Sequence, residues 1–119
     1  MKKTLIIGAT PNKSRYAYMA AERLHRINAE LVLLGTKTGE IFDKEILHST
    51  EGITDIDTVT LYINPSIQAS YREFLLELRP KRVIFNPGTE NPALARELSD
   101  IGVETLEACT LVMIGTGQY

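Results

Sequence analysis

Five short apolar runs, separated by longer mixed segments, constrain the fold of this chain more than any other feature. Each run is nearly continuous in Ile, Val and Leu, a pattern typical of strands that are covered on both faces, as in a parallel sheet. The runs occupy residues 4–8, 30–34, 58–63, 82–86 and 103–107. We therefore predict a mostly parallel sheet of five strands.

Most of the intervening segments carry a helical period, with apolar residues at spacings of three and four. The first stripe is Ala17, Ala20, Ala21, Leu24 and Ile27, and the second is Ile67, Tyr71, Phe74, Leu75 and Leu78, with Pro80 ending it. A third helix is predicted after Asn91 as its cap and before Gly102. Alternating strands and helices predict right-handed crossovers and a doubly wound, Rossmann-like α/β domain with three α/β/α layers.

One connection departs from this alternation. The segment between Leu34 and Thr58 lacks a convincing helical period, and Gly39 within TKTGEIF favours a tight turn or a small hairpin. We predict that a loop or short hairpin replaces one crossover helix.

Size and composition restrict the class of protein. The 119 residues suffice for one domain, predicted over residues 1–119, and the net charge of −2 gives no general attraction to nucleic acid or to anionic membranes. The sole cysteine, Cys109, excludes an internal disulfide and favours a reducing cytoplasm. The apolar run that ends at Gly8 is too short for a signal peptide, and no stretch approaches the roughly 20 apolar residues of a membrane helix. We expect a cytoplasmic protein, with any phosphate bound at a local site.

Four loops are candidates for that site, because ligands of such sheets bind beyond the carboxyl ends of the strands. They comprise residues 8–15, 35–38, 64–66 and 86–91, and all are rich in Gly, Pro, Asn, Thr or Lys. These residue types bring backbone donors and small polar groups close to a ligand.

The first loop has the features of an anion site. Gly8 permits a sharp turn, and the helix that follows offers unpaired backbone N–H groups, with Asn12 and Ser14 as candidate caps. Lys13 and Arg15 oppose the helix macrodipole there unless an anion arrives, which favours a phosphate site. The alternative is that both are solvated surface residues.

The second loop bears on which ligand is bound. A domain that binds NAD usually carries Asp or Glu after its second strand, to hold the ribose hydroxyls. Thr36, Lys37 and Thr38 follow this strand instead, which favours a ligand with a phosphorylated ribose, either coenzyme A or NADP. The alternative is a turn lysine without a partner.

The remaining reactive residues predict neither catalysis nor a metal site. Cys109 has no base near it in sequence, and His25 and His48 form no cluster with other metal ligands. Glu90 and Glu107 are scattered carboxylates rather than an acid–base pair.

The segments LIIGATPNKSRYAYMA, RVIFNPGTEN and EACTLVM resemble, in this order, the small stand-alone CoA-binding domain family. That family is related to the CoA-binding domain at the start of the succinyl-CoA synthetase alpha subunit. The resemblance extends from Lys3 to Tyr119 and implies a compact Rossmann-like domain that binds CoA. It does not imply ligase activity, because the chain has no room for the ligase's further domains or its phosphorylated histidine.

The resemblance also implies which residues contact the ligand. Gly8, Ala9, Thr10 and the segment through Pro11, Asn12, Lys13 and Arg15 would face the CoA phosphates, and Lys37 would lie near the adenosine 3′-phosphate. Gly35 and Thr36, which precede Lys37, are also predicted to contact the ligand. Asn64, Pro65, Pro87, Gly88 and Thr89 would border the pantetheine. The Asn-Pro pair that many relatives carry after the second strand is missing here.

Three hypotheses follow. The first is a cytoplasmic module that binds CoA or an acyl-CoA without catalysis, alone, as a homodimer or with a protein partner. The second is an NADP-binding oxidoreductase or redox sensor on the same fold. The third is an interaction protein whose ligand site has decayed.

Overall fold

The computed structural model describes residues 2–119 and contains a sheet flanked by helices. The strands are β1 (Lys3–Ile7), β2 (Glu30–Leu34), β3 (Glu40–Ile41), β4 (Lys44–Leu47), β5 (Thr58–Leu61), β6 (Arg82–Phe85) and β7 (Glu104–Glu107). The helices are α1 (Tyr16–Arg26), α2 (Pro65–Gln68), α3 (Arg72–Leu78), α4 (Pro92–Asp100) and α5 (Thr110–Gly115), with a 3₁₀ turn at Ala69–Tyr71.

The sheet has the order β3-β4-β2-β1-β5-β6-β7, and every pair except β3–β4 is parallel. The predicted doubly wound, mostly parallel sheet is thus confirmed, with the five predicted strands contiguous as β2-β1-β5-β6-β7. The sheet is larger than predicted, because the segment without a helix forms a β-hairpin. Its second strand, β4, extends the sheet by pairing parallel to β2.

The hairpin turns at a different place from the glycine that the sequence singled out. Phe42 and Asp43 connect β3 to β4 with φ values of 51° and 64°. Positive φ at both central residues is typical of the two-residue turn whose twist matches that of a β-hairpin. Gly39 instead lies just before β3, against the ring of Pro11.

Two apolar cores lie on opposite faces of the sheet, as three layers require. Alternate residues of β1 supply both: Leu5 and Ile7 face the core under α3 and α4, and Ile6 faces the core under α1. Leu94 and Leu98 of α4 complete the first core, whereas Ala17, Ala21 and Leu24 of α1 complete the second. None of the helices formed by residues 2–119 combines the length and the apolar character of a membrane-spanning segment.

The helices agree with the prediction except that the second is divided and that an additional one, α5, is present. The Asn91 side chain caps α4 by accepting from the N–H of Leu94 at 3.2 Å, as predicted. The second apolar stripe is divided between α2, the 3₁₀ turn and α3. Helix α3 ends at Leu78, and its C-cap residue, Arg79, has a φ of 47°. Helix α5, for which the sequence yields no prediction, packs beside α1.

A buried asparagine attaches α5 to the sheet. The Asn86 side chain donates to the hydroxyl of Thr60 at 2.7 Å and to the carbonyl of Leu61 at 2.9 Å, and it accepts from the N–H of Thr110 at 2.9 Å. Because Asn86 is only 2% exposed, its amide needs protein partners, and these three bonds supply them. Asn86 therefore holds the start of α5 against the carboxyl ends of β5 and β6.

Two glycines let β1, β2 and β5 converge at their carboxyl ends. A Cβ on Gly8 would lie 2.8 Å from the carbonyl oxygen of Tyr62, and Gly8 has a φ of +97°. A Cβ on Gly35 would lie 2.9 Å from the carbonyl oxygen of Ala9. At both positions a side chain would therefore force the neighbouring backbone apart.

We expect Gly8→Ala to lower the free energy of unfolding by about 2–4 kcal/mol, because alanine would be strained at this φ and would contact the Tyr62 backbone. Gly115→Ala is the matched control, since a Cβ there has open space. The control is expected to leave the stability unchanged or to raise it by up to about 1 kcal/mol. Urea unfolding followed by circular dichroism measures both, and equal effects would contradict the role given to Gly8.

Candidate functional site

A cavity of about 590 Å³ lies beyond the carboxyl ends of β1, β2 and β5. The chain leaves β1 toward β2 on one side and reaches β5 on the other, so this is the point at which the connections diverge and such sheets bind ligands. The volume falls in the range of small-molecule sites. We call it the switch-point cavity; its lining is Gly8, Ala9, Thr10, Arg15, Tyr16, Ala17, Gly35, Thr36, Lys37, Tyr62, Ile63, Asn64, Ile67 and Tyr71.

The structure brings together about half of the residues predicted for the site. Those that line the switch-point cavity are Gly8, Ala9, Thr10, Arg15, Gly35, Thr36, Lys37 and Asn64. Those that do not line it are Pro11, Asn12, Lys13, Pro65, Pro87, Gly88 and Thr89. The cavity is thus built by the first three of the four predicted loops, and the fourth lies outside it.

The first loop is organised differently from the prediction. Asn12 accepts hydrogen bonds from both the N–H and the hydroxyl of Ser14, and its carbonyl accepts from the N–H of Arg15. Arg15 is the N-cap of α1 and makes no side-chain cap bond. The prediction that Asn12 or Ser14 caps α1 is therefore wrong, because their side chains close the preceding turn.

The backbone donors at this end of the sheet are only partly available. The N–H groups of Gly8 and Ala9 both donate to the carbonyl of Leu34, at 2.8 and 3.1 Å. Within residues 2–119, the N–H groups of Tyr16 and Ala17 donate to no carbonyl, as expected for the first turn of a helix. The donors left for an anion are thus those at the start of α1 rather than those of the glycine turn.

Two cations lie at the rim of the switch-point cavity, one from each side. Arg15 and Lys37 are exposed, and neither forms an ion pair with a carboxylate of the described residues. The first turn of α1 contains no acidic residue. The positive end of the α1 dipole and both side chains therefore act on the same space without a compensating negative charge.

Sequence reasoning missed the apolar side of the cavity. Tyr16 is 70% exposed and Ile67 is 46% exposed, and both line the cavity. The spacing of Ile67 and Tyr71 predicts a buried helical stripe, and this period conceals that both residues line the cavity. Tyr16 is the first residue of α1, directly after the predicted loop of residues 8–15. The sequence does not distinguish it from an apolar core residue, and only the structure shows that it is exposed.

Tyr62 lies at the floor of the cavity, with its ring toward the core under α1. Among residues 2–119, its hydroxyl is the buried side-chain polar atom that lacks a hydrogen-bond partner. Burial raises the pKa of Tyr62 to about 12, and the hydroxyls of Thr110 and Thr60 offset part of the rise without reaching hydrogen-bonding geometry. The phenol is therefore neutral at physiological pH.

A fully buried glutamine connects the third and fourth loops. The Gln68 amide donates to the carbonyls of Ile63 at 2.9 Å and Thr89 at 2.7 Å, and its oxygen accepts from the Asn91 side chain at 2.9 Å. The Thr89 hydroxyl donates to the carbonyl of Asn86 at 2.8 Å. Thr89 thus holds its own loop in place, and Gln68 ties that loop to the wall of the cavity.

Cysteine and potential metal ligands are not part of the cavity lining. Cys109 is half-buried at the N-cap of α5 and does not line the cavity. The part of the chain that the structure describes contains no group of His, Cys, Asp and Glu arranged to hold a metal ion.

Comparisons with known proteins bear on this site. A family model described as "CoA binding domain" matches residues 2–115. A crystal structure described as an uncharacterized protein is 53% identical, with a TM-score of 0.97 over 100% of this chain and 98% of that one. A search of the curated proteins returns no significant match.

Two more distant structures share the fold. A structure from Thermus thermophilus is 20% identical, with a TM-score of 0.87 over 99% of this chain and 90% of that one. A hypothetical protein from Pyrococcus horikoshii is 22% identical, with the same TM-score of 0.87 over 97% of this chain and 82% of that one.

We expect Gln68→Ala to lower the free energy of unfolding by about 2–4 kcal/mol, because it leaves two carbonyls and one amide without their partner. Gln118→Ala, at an exposed position, is the matched control and is expected to change the stability by less than about 0.5 kcal/mol. Urea unfolding measures both variants. A Gln68→Ala protein as stable as the control would contradict the connecting role of this side chain.

Proposed function

Because this chain belongs to the CoA-binding domain family, we propose that its switch-point cavity binds coenzyme A or an acyl-CoA. The observation that carries the proposal is the pair of unpaired cations, Arg15 and Lys37, on opposite loops of one cavity. CoA carries a pyrophosphate and a separate phosphate on its ribose, so each of the two cations could bind one of these anionic groups.

The pyrophosphate is assigned to the start of α1. The N–H groups of Tyr16 and Ala17 point from the helix terminus, and Arg15 adds a guanidinium that can bind phosphate through two donors. In this proposal Gly8, Ala9 and Thr10 shape the floor beneath the phosphates, Pro11 and Asn12 shape the turn, and Lys13 adds charge at a longer distance.

The 3′-phosphate on the adenosine ribose is assigned to Lys37. This lysine follows β2, where a domain that binds NAD would carry an acidic residue, and Gly35 and Thr36, which precede it, also line the cavity. A lysine at this position also suits the 2′-phosphate of NADP, which makes an NADP-binding oxidoreductase or redox sensor the second candidate.

The pantetheine arm is assigned to the apolar side of the cavity. Tyr16, Ile67 and Tyr71 provide exposed or half-buried apolar surface, and Asn64 provides polar groups beside it. Pro65 and the loop of Pro87, Gly88 and Thr89 would border the far end of the arm, outside the cavity itself. The proposal assigns no catalytic residue and no metal, and it places the module in the cytoplasm, where CoA is available.

We expect isothermal titration to detect saturable binding of CoA, with a dissociation constant about fivefold to tenfold higher for 3′-dephospho-CoA, because one phosphate–lysine contact is lost. Lys37→Ala should weaken CoA binding by the same factor. Lys44→Ala, an exposed lysine on β4, is the matched control and should leave affinity unchanged.

The same titration discriminates between the hypotheses. Binding of NADPH in preference to CoA would favour the oxidoreductase or redox sensor, and binding of neither would favour an interaction protein. Native mass spectrometry of freshly purified protein would identify a retained ligand by its mass and would report whether the protein is a dimer.

A further inference from the structure

We propose that His48 positions Lys37 and thereby sets the preference for a ribose phosphate; this inference rests on the proposed function. Nε2 of His48 lies 2.9 Å from the carbonyl oxygen of Lys37. Because a carbonyl oxygen can only accept, Nε2 must carry the proton and donate it. The imidazole thus makes a defined hydrogen bond to the backbone of the residue assigned to the phosphate.

This hydrogen bond holds the middle of the segment that connects β2 to β3. At one end of the segment between β2 and β3, the N–H of Gly35 donates to the carbonyl of Leu47 at 3.0 Å. At the other end, the N–H of Ile46 donates to the carbonyl of Gly39 at 2.9 Å. Both ends are therefore attached to β4, and the middle of the segment needs a separate attachment.

His48 supplies that attachment from the residue that follows β4. In the described part of the chain, the backbone groups of Thr36, Lys37 and Thr38 form no other hydrogen bond with the protein. Without the imidazole, these three residues would be held only through the bonds of Gly35 and Gly39 on either side. The Lys37 ammonium would then sample a wider volume. Holding a charge in place before the ligand arrives reduces the entropy lost on binding.

The adjoining loop limits where this segment can lie. Gly39 abuts the ring of Pro11, since a Cβ added to Gly39 would lie 3.1 Å from Cγ of that ring. The segment is therefore confined on the side of the first loop by Pro11 and on the side of β4 by His48. This confinement directs Lys37 to the rim of the switch-point cavity, which it lines, rather than toward the hairpin.

The hairpin side would not suit a phosphate. A second cavity of about 560 Å³ lies there, and its lining includes Glu40, Glu45 and Glu51 together with His48. These carboxylates would repel a phosphate and would attract a lysine released from its position. His48 lines this acidic cavity and is hydrogen-bonded to the loop that carries Lys37.

The test compares CoA with 3′-dephospho-CoA by isothermal titration for the wild type and for His48→Ala. We expect the substitution to raise the dissociation constant of CoA by roughly fivefold, as for the loss of one hydrogen bond, and to leave that of dephospho-CoA unchanged. His48→Gln should retain most of the preference, since its amide can donate at a similar place. His25→Ala is the matched control: it removes the other histidine, which stacks on Phe42 with ring centres 4.3 Å apart, and should change neither constant.

A double variant identifies the route of the effect. If His48 acts through Lys37, Lys37→Ala with His48→Ala should bind CoA no more weakly than Lys37→Ala alone. Additive effects, or equal losses for both ligands, would overturn the positioning role while leaving CoA binding in place. A wild-type protein that binds both ligands equally, or neither, would overturn this inference together with the assignment of Lys37.

Discussion

The close packing of three strand ends underlies the rest of this structure. The carbonyl of Leu34 accepts from both Gly8 and Ala9, and the places where Cβ atoms of Gly8 and Gly35 would lie are within 3 Å of neighbouring carbonyls. The segments that follow β1 and β5 lead to helices on opposite faces of the sheet, α1 on one and α3 on the other. The space between the departing segments is the switch-point cavity, and Gly8 and Gly35 are part of its lining.

Buried amides keep the loops around that space in place. Gln68 connects the wall of the cavity to the loop before α4, and Asn86 connects β5 and β6 to α5. Both side chains are almost fully buried and have all their polar atoms engaged with protein groups. Buried groups of this kind specify one arrangement, since any other arrangement leaves polar atoms without partners.

The charges of the site complement this rigid frame. Arg15 and Lys37 lie on two loops that touch through Pro11 and Gly39, and the first turn of α1 adds its positive dipole end without a capping side chain. Such an arrangement is unfavourable in the free protein and becomes favourable when an anion binds. The membership of the CoA-binding domain family and the uncompensated charge of the cavity thus point to the same class of ligand.

The sequence by itself determined the parallel core of the sheet, the cap and boundaries of α4, the absence of one crossover helix, and three loops that line the switch-point cavity. These features depend on local patterns, because apolar periods, caps and breakers act over a few residues. The tertiary structure decided that Asn12 closes a turn instead of capping α1, that Ile67 lies at the cavity, and that Thr89 is engaged within its own loop. It also decided the bond from His48 to Lys37. Each of these depends on which segments meet in space, and contacts between distant segments leave no period in the sequence.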